Sequence, residues 1–375
     1  MDVSKNKIWT FVGSVIILSV LAGGFSGVIS AVFTNQSLDR YVQSLSEGEG
    51  LVLISEVKPS PIPGTYEEAL SRVQETGWKA TALIRATSVD SSLPSAWINR
   101  DDVVGYGAVI TSDGWIVLHS DVLNAFVNPE SSAEVWIDGE RYSISSIVQD
   151  SLSDLSLIKI SAEGLSVVAF GASDSMRGGS ILFGVPSSSG ILVSNLLDSD
   201  YQDSSALPAE TFDSSWVLSD ELPAGIPILN SAGELIAFSL EDSGALPLHH
   251  GIVFIQSVLR SGQAEHAALG SYVVNVASIL NINPELRMNA EAGALLIAPN
   301  GIGNPIVSGG PADLAGLQKG DLILAVDNYV LSNFSSLAEA IASYSPGSSA
   351  TFSVMRDGVV SDYKITFSNL SDLVY

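Results

Sequence analysis

The feature that most constrains this chain is how its apolar residues are parcelled between residues 80 and 255: short β-branched runs, each broken by Asp-Gly, Gly-Gly or serine-rich turns. Runs of that length bounded by turn residues suit buried strands, and many in succession suit an all-β barrel. The pattern predicts strands over 80–87, 105–111, 115–118, 133–137, 141–148 and 155–160, then 181–185, 191–196, 226–229, 234–240 and 252–255. That many short strands suit two packed barrels. The clearest hairpin is Ser112-Asp113-Gly114, because Asp-Gly tolerates the positive φ angles of a tight turn. A short amphipathic helix is expected over 66–75, where Ala69, Leu70 and Val73 recur at helical spacing. Around 256–268 the pattern turns helical again, as a connector to a second domain.

At 375 residues the chain is long enough for two domains of common size and an anchor. Sixteen Lys and Arg against 41 Asp and Glu leave a net charge of −25, a field that repels phosphate backbones and argues against nucleic acid as a partner. Cysteine is absent, which excludes a disulfide framework and a thiolate metal site. No cofactor or metal motif is present. From Ile8 to Phe33 no charged residue occurs, and about 26 apolar or small residues reach across a hydrocarbon core of roughly 30 Å. Lys5 and Lys7 precede it, so the positive-inside rule places residues 1–7 in the cytoplasm, 8–33 in the membrane and the bulk of the chain outside the cell membrane. The competing reading is a cleaved leader, since Val28-Ile29-Ser30-Ala31 offers small residues to a signal peptidase; the length of the apolar stretch favours retention. Residues 34–64, ending in Lys58-Pro59-Ser60-Pro61-Ile62-Pro63-Gly64, read as a partly extended tether.

Three separated segments stand out: Gly105-Tyr106-Gly107-Ala108-Val109-Ile110-Thr111-Ser112-Asp113-Gly114-Trp115-Ile116-Val117, Asp150-Ser151-Leu152-Ser153-Asp154-Leu155-Ser156-Leu157-Ile158-Lys159 and Leu222-Pro223-Ala224-Gly225-Ile226-Pro227-Ile228-Leu229-Asn230. Together they resemble the HtrA/Deg family of membrane-associated serine proteases. The first is similar to the family's first-barrel hairpin and the second to the segment with the orienting aspartate. The third resembles the nucleophile loop, which in the family reads Gly-Asn-Ser-Gly-Gly-Pro-Leu-Leu-Asn. The resemblance implies a trypsin-like double β-barrel over 65–262, with triad positions at Asp121, Asp154 and Ala224 and the oxyanion loop at Leu222, Pro223 and Ala224. Only Asp154 keeps the family residue. Serine catalysis needs a hydroxyl, a base to deprotonate it, a carboxylate to orient the base and donors for the oxyanion. A methyl group at 224 and a carboxylate at 121 supply neither of the first two, so a catalytically degenerate pseudoprotease is expected. His119 lies on the same face of an extended segment but about 6.5 Å from position 121, beyond proton-transfer reach; it is expected as a partly exposed strand-end histidine. Two rivals stand: an active endopeptidase with its nucleophile displaced to Ser219 or Ser231, and a cation site at Asp121 with Asp154, whose carboxylates would approach each other.

Residues 268–369 resemble a PDZ domain of the HtrA type, most specifically over Ser308-Gly309-Gly310-Pro311-Ala312-Asp313-Leu314-Ala315-Gly316-Leu317-Gln318-Lys319-Gly320-Asp321. The fold class is therefore mainly β: an N-terminal transmembrane helix, a trypsin-like double barrel and a C-terminal α+β PDZ domain. A helix is expected over 336–343 and strands over 350–355 and 361–367. The resemblance implies peptide binding by strand addition, with Leu269, Gly270 and Ser271 in the carboxylate-binding loop and Leu337 and Ile341 lining the side-chain pocket. Peptide tails or unfolded segments are the implied partners, with a homo-oligomer, a trimer in the family, or an assembly with an active protease. The implied role is scaffold, sensor or regulator in envelope protein quality control.

Overall fold

The computed structural model describes residues 63–87, 102–186, 190–201, 205–212, 214–279, 292–332 and 335–375, all within one compact unit, Ile54–Tyr375. The expected tail 1–7, spanning stretch 8–33 and nearly all of the tether 34–64 lie outside the described residues. Among the described residues no helix is long and apolar enough to cross a membrane.

The first helix, α1 (Tyr66–Ala80), is capped by Thr65, whose hydroxyl accepts the Glu68 N–H. Glu67 and Glu68 sit at its positive end and Lys79 at its negative end. It runs past the expected residue 75 because its buried stripe continues, Ala69 and Val73 being followed by Gly77 and Ala80. Six antiparallel strands then close a first barrel: β1 (Thr81–Ala86), β2 (Val103–Val109), β3 (Trp115–His119), β4 (Ala133–Ile137), β5 (Glu140–Gln149) and β6 (Leu155–Ile160), in the order β1-β2-β3-β6-β5-β4. The Asp-Gly turn falls where expected. Gly114 has φ +106°, and a Cβ there would stand 2.5 Å from the Ile160 carbonyl oxygen, so only glycine fits. A short helix, α2 (Ser120–Asn124), follows β3 directly.

The second barrel is built from β7 (Ile181–Gly184), β8 (Leu192–Tyr201), β10 (Ser214–Leu218), β11 (Pro227–Leu229), β12 (Leu235–Ser239) and β13 (Gly244–Pro247). They close as β10-β13-β12-β11-β7-β8, while the two-residue β9 (Leu207–Pro208) leaves the barrel from the β8–β10 connection. Two of these strands escape local reading. β10 opens on two serines and β13 contains Gly244 and Pro247, weak strand formers that the closed barrel nonetheless pairs. The strand expected over 252–255 is instead the first turn of α3 (Ile252–Ser261), which buries Phe254, Ile255 and Val258 and ends at Gly262, in the left-handed region at φ +77°. Four consecutive apolar residues carry no period; only the whole helix shows its buried face. Ala69 and Val73 of α1, Val117 and Leu155 of the first barrel, Phe183 and Phe238 of the second and Phe254 of α3 form one buried cluster. The barrels are thus fixed against each other by apolar packing.

The second domain comprises β14 (Ala267–Ala268), β15 (Tyr272–Asn275), β16 (Ala294–Leu296), α4 (Pro311–Leu314), β17 (Leu322–Val326), β18 (Tyr329–Val330), α5 (Leu337–Ala342), β19 (Ser349–Arg356), β20 (Val359–Thr366) and β21 (Ser368–Asn369). The expected helix 336–343 is α5 with its caps. Ser336 and Glu339 form a reciprocal capping box and Ser343 is the C-cap. Asp321, fully buried at the turn into β17, is held by two 2.6 Å bonds from Arg356, Nε to Oδ1 and Nη2 to Oδ2. The sheet order is β20-β19-β17-β16-β15-β9, with β18 on β17. Its last strand therefore comes from the barrel domain.

Candidate functional site

The segments matched to a protease site meet at the junction of the barrels. α2 carries Asp121, and the Ser120 N–H donates to the Asp154 carbonyl at 2.8 Å, which ties α2 to the loop before β6. From the other barrel, loop 222–225 reaches α2: a Cβ on Gly225 would stand 3.0 Å from Val122 Cγ2. Ala224 is exposed beside it. The side chain of Asp121 is 80% exposed, and Asp154, in the left-handed region at φ +53°, is exposed too. Asp121 Oδ1 accepts a 3.3 Å bond from Asn124. Both carboxylates thus face solvent, and among the described residues neither belongs to a converging group of three metal-ligating side chains.

His119 is buried, at 7% exposure, rather than partly exposed. It is the N-cap of α2, with Nδ1 accepting the Asp121 N–H at 3.4 Å. Burial pushes its imidazole below the ordinary histidine value, against the pull of Asp121 and Asp154. The capping role keeps the ring turned toward its own helix.

Leu222 stands where the resemblance places a glycine, and its side chain explains the altered loop. It is buried in the core of the second barrel with Leu182, Trp216 and Ile228. Below the loop, buried Ser239 donates its hydroxyl to the Pro223 carbonyl at 2.5 Å and accepts the Ile226 N–H at 2.8 Å, while the Gly225 N–H donates to the Ser239 carbonyl. The loop is held by an apolar anchor and one serine, and it presents a methyl group.

Neither serine of the rival reading has an imidazole beside it. Ser219 donates to Asp220 at 2.6 Å and accepts from Asn195; Ser231 follows β11 in the turn to β12. A hydroxyl and an imidazole do meet elsewhere, at Ser173 and His249 Nδ1, 3.0 Å apart, with His249 Nε2 3.5 Å from Glu339 of α5. Ser173 is 4% exposed and its oxygen also accepts the His249 N–H, so the relay is closed to substrate and joins the barrel domain to α5. Burial works to raise Glu339, but His249, Tyr329 and the Ser336 N–H together hold it below the usual carboxylate value. His249, His250 and Glu339 bring one ligand atom each within 4.8 Å of one another. Two imidazoles and a carboxylate are donor types zinc accepts; Tyr329 and Ser336 both donate to Glu339 Oε2, and Oε1 is the oxygen that faces His249. His250 is buried, stacked on Phe212 at 4.2 Å, and burial drives its pKa well below the ordinary value.

In the loop Leu269-Gly270-Ser271, Gly270 lies in the left-handed region at φ +74°. Its amides are directed at a carboxylate: the Leu269 N–H donates to Glu210 Oε1 at 2.5 Å and the Gly270 N–H to the same oxygen at 3.3 Å. Leu337 lines the adjoining cavity with Leu207, Pro208 and Val273, and both it and Ile341 pack into the domain core. Nothing local in the sequence marks Glu210; the only hint is that Ala206-Leu207-Pro208-Ala209 is an apolar island after the polar 198–205.

A model described as a PDZ domain matches residues 263–367. The chain is 26% identical over 292 residues to a probable periplasmic serine endoprotease DegP-like of Chlamydia muridarum (strain MoPn / Nigg), covering 72% of this chain and 55% of that protein. It is 25% identical over 279 residues to the protein so described in Brucella suis biovar 1 (strain 1330), covering 70% and 52%. Among solved structures it is similar to the HtrA-type protease AlgW with decapeptide, at a TM-score of 0.55 and 18% identity over 81% of this chain and 98% of that one. The chain has an HtrA/DegP-type fold. A double barrel of the trypsin-like serine protease fold is followed by a C-terminal PDZ domain, and the chain spans about half the length of the curated relatives it matches. In this HtrA-type frame, β15 and α5 both line the cavity beside Leu207 and Pro208, and the Leu269 and Gly270 amides hold the Glu210 carboxylate.

Proposed function

We propose that this protein is a membrane-anchored, catalytically silent HtrA-like pseudoprotease that recognises peptide tails or unfolded segments through its PDZ domain, as scaffold, sensor or regulator in envelope protein quality control. The observation that carries the reading is Ala224: the loop that meets α2 at the barrel junction presents a methyl group where acyl transfer needs a hydroxyl. Asp121 and His119 support it: the position that the resemblance assigns to the histidine base carries a solvent-facing carboxylate, and the buried His119 imidazole accepts the Asp121 N–H. The amides of Leu269 and Gly270, already holding a carboxylate, support tail recognition by the PDZ domain. Charge at Lys5 and Lys7 and the uncharged stretch 8–33 support a single-pass anchor with the folded part outside the membrane. A homo-oligomer or an assembly with an active protease accords with the fold.

Incubation of the full chain with unfolded casein, beside an active HtrA protease, tests the silent reading: intact casein after hours is expected, and cleavage that survives further purification overturns it. Carbonate extraction of membranes tests the anchor. Retention in the pellet, lost on deleting 8–33, is expected; release of the intact chain contradicts it.

A further inference from the structure

The PDZ groove is filled by the chain itself. Between β8 and β10, the described residues 205–212 include a portion that lies along the edge strand of the PDZ sheet. β9 pairs antiparallel with β15, Leu207 opposite Val273 and Pro208 opposite Tyr272. The ladder continues one residue further, the Ala209 N–H donating to the Ser271 carbonyl at 2.8 Å. Ala209 is 1% exposed and belongs to the PDZ core cluster with Leu269, Leu337 and Ile341. The Glu210 side chain then turns its Oε1 onto the Leu269 and Gly270 amides, and its Oε2 accepts the Tyr375 hydroxyl. After Ala209 the backbone turns away, the Thr211 N–H closing on the Pro208 carbonyl at 2.9 Å.

We infer that residues 205–210 are a built-in ligand of the PDZ groove, with the Glu210 carboxylate standing in for a chain terminus, and that external peptides must displace them. The inference rests on the peptide-binding reading of the PDZ domain. Every element of strand-addition recognition is met from within: an antiparallel strand on an open edge, a small side chain in the buried pocket and a carboxylate on the loop amides. Protection of an edge strand alone would need the strand but not the acid. A carboxylate buried to 2% exposure is costly unless donors hold it, and three hydroxyl or amide donors converge on this one.

The internal segment also reports which ligands the groove takes. Ala209 occupies the position of a last residue, Pro208 and Leu207 those before it. The expected external class is a peptide with a free C-terminal carboxylate and a small apolar last residue, preceded by residues that tolerate a Pro. A larger final side chain would have to expand a pocket that closes on one methyl group.

The test measures binding of a fluorescent peptide Ser-Ala-Leu-Pro-Ala, with a free or an amidated C-terminus, to the full chain and to Glu210→Ala. The free-acid peptide is expected to bind Glu210→Ala at least tenfold more tightly than the wild type, and the amidated peptide to bind neither. Equal affinity for both proteins overturns the built-in ligand and leaves the PDZ reading standing; no binding to either overturns both. A second variant keeps the fold intact. Because the chain has no cysteine, the double substitution Leu207→Cys/Val273→Cys puts its only two thiols on directly opposed positions. Oxidised protein is expected to lose peptide binding and reduced protein to regain it. Unchanged binding in the oxidised state, with the disulfide verified by mass, contradicts the proposal.

Discussion

Replacing Leu222 by glycine, the residue that the resemblance places there, would cost far more stability than exchanging the exposed Pro223 or Ala224 beside it. Its side chain is 4% exposed and packed against Leu182, Trp216 and Ile228 inside a closed barrel, where walls cannot collapse far. Truncation of a buried leucine to alanine costs about 2–5 kcal/mol, and glycine adds roughly 0.4–1 kcal/mol by loosening the unfolded chain. A loss of about 2.4–6 kcal/mol is expected, a fall of roughly 5–24 °C at about 2–4 °C per kcal/mol. Neighbouring Pro223→Asn and Ala224→Ser alter exposed side chains and should stay within about 0.5 kcal/mol of wild type. Urea unfolding followed by tryptophan fluorescence is the assay, since Trp216 lies in the same cluster as Leu222. A loss below about 1 kcal/mol, or one equal to that of Pro223→Asn, would refute the claim that an apolar anchor holds this loop.

Ala224→Ser alone should remain inert, because removing the triad base costs on the order of 10⁴–10⁶ in rate; measurable casein cleavage by this single variant would show that a base is in place. Asp150, buried and bonded to His266 Nε2 at 2.6 Å, sits below the ordinary carboxylate value: burial opposes ionisation, but His266, Ser153 and the Leu152 N–H outweigh it. Its stabilisation is therefore present above the unfolded Asp value and lost as pH falls through the depressed one. Melting curves of wild type and Asp150→Asn should converge in acid and separate toward neutral pH; a constant gap would contradict this. Glu210 is shifted the other way by burial, and the titratable group bonded to it is the Tyr375 hydroxyl. Docking of 205–210 is then fully supported below the ordinary Glu value and weakens as pH rises through the raised one. Peptide affinity of the wild type should rise with pH relative to Glu210→Ala; a pH-independent ratio would contradict it.

Much of this architecture was legible because its signals are local. The Asp113-Gly114 turn, the strands 133–137 and 155–160, and the Pro311, Gly316 and Gly320 punctuation of the second domain each have a backbone reason that a few residues express. Ala224 is equally legible, since a missing hydroxyl needs no fold to be noticed. What stayed hidden depends on distant partners. The run 252–255 carries no period of its own, and β10 and β13 exist because a barrel closes on them. The burial of His119 escapes a sequence reading because exposure is set by what packs over a strand end. Glu210 was invisible for the same reason, since its meaning comes from Leu269 and Gly270, some sixty residues later.

The most direct measurement is the stoichiometry of a fluorophosphonate probe on the intact, purified chain, read by mass spectrometry beside an active HtrA protease. The account predicts no adduct on this chain while the active enzyme is labelled to completion. An adduct approaching one per chain, at Ser173, Ser219, Ser231 or any other serine, would contradict it.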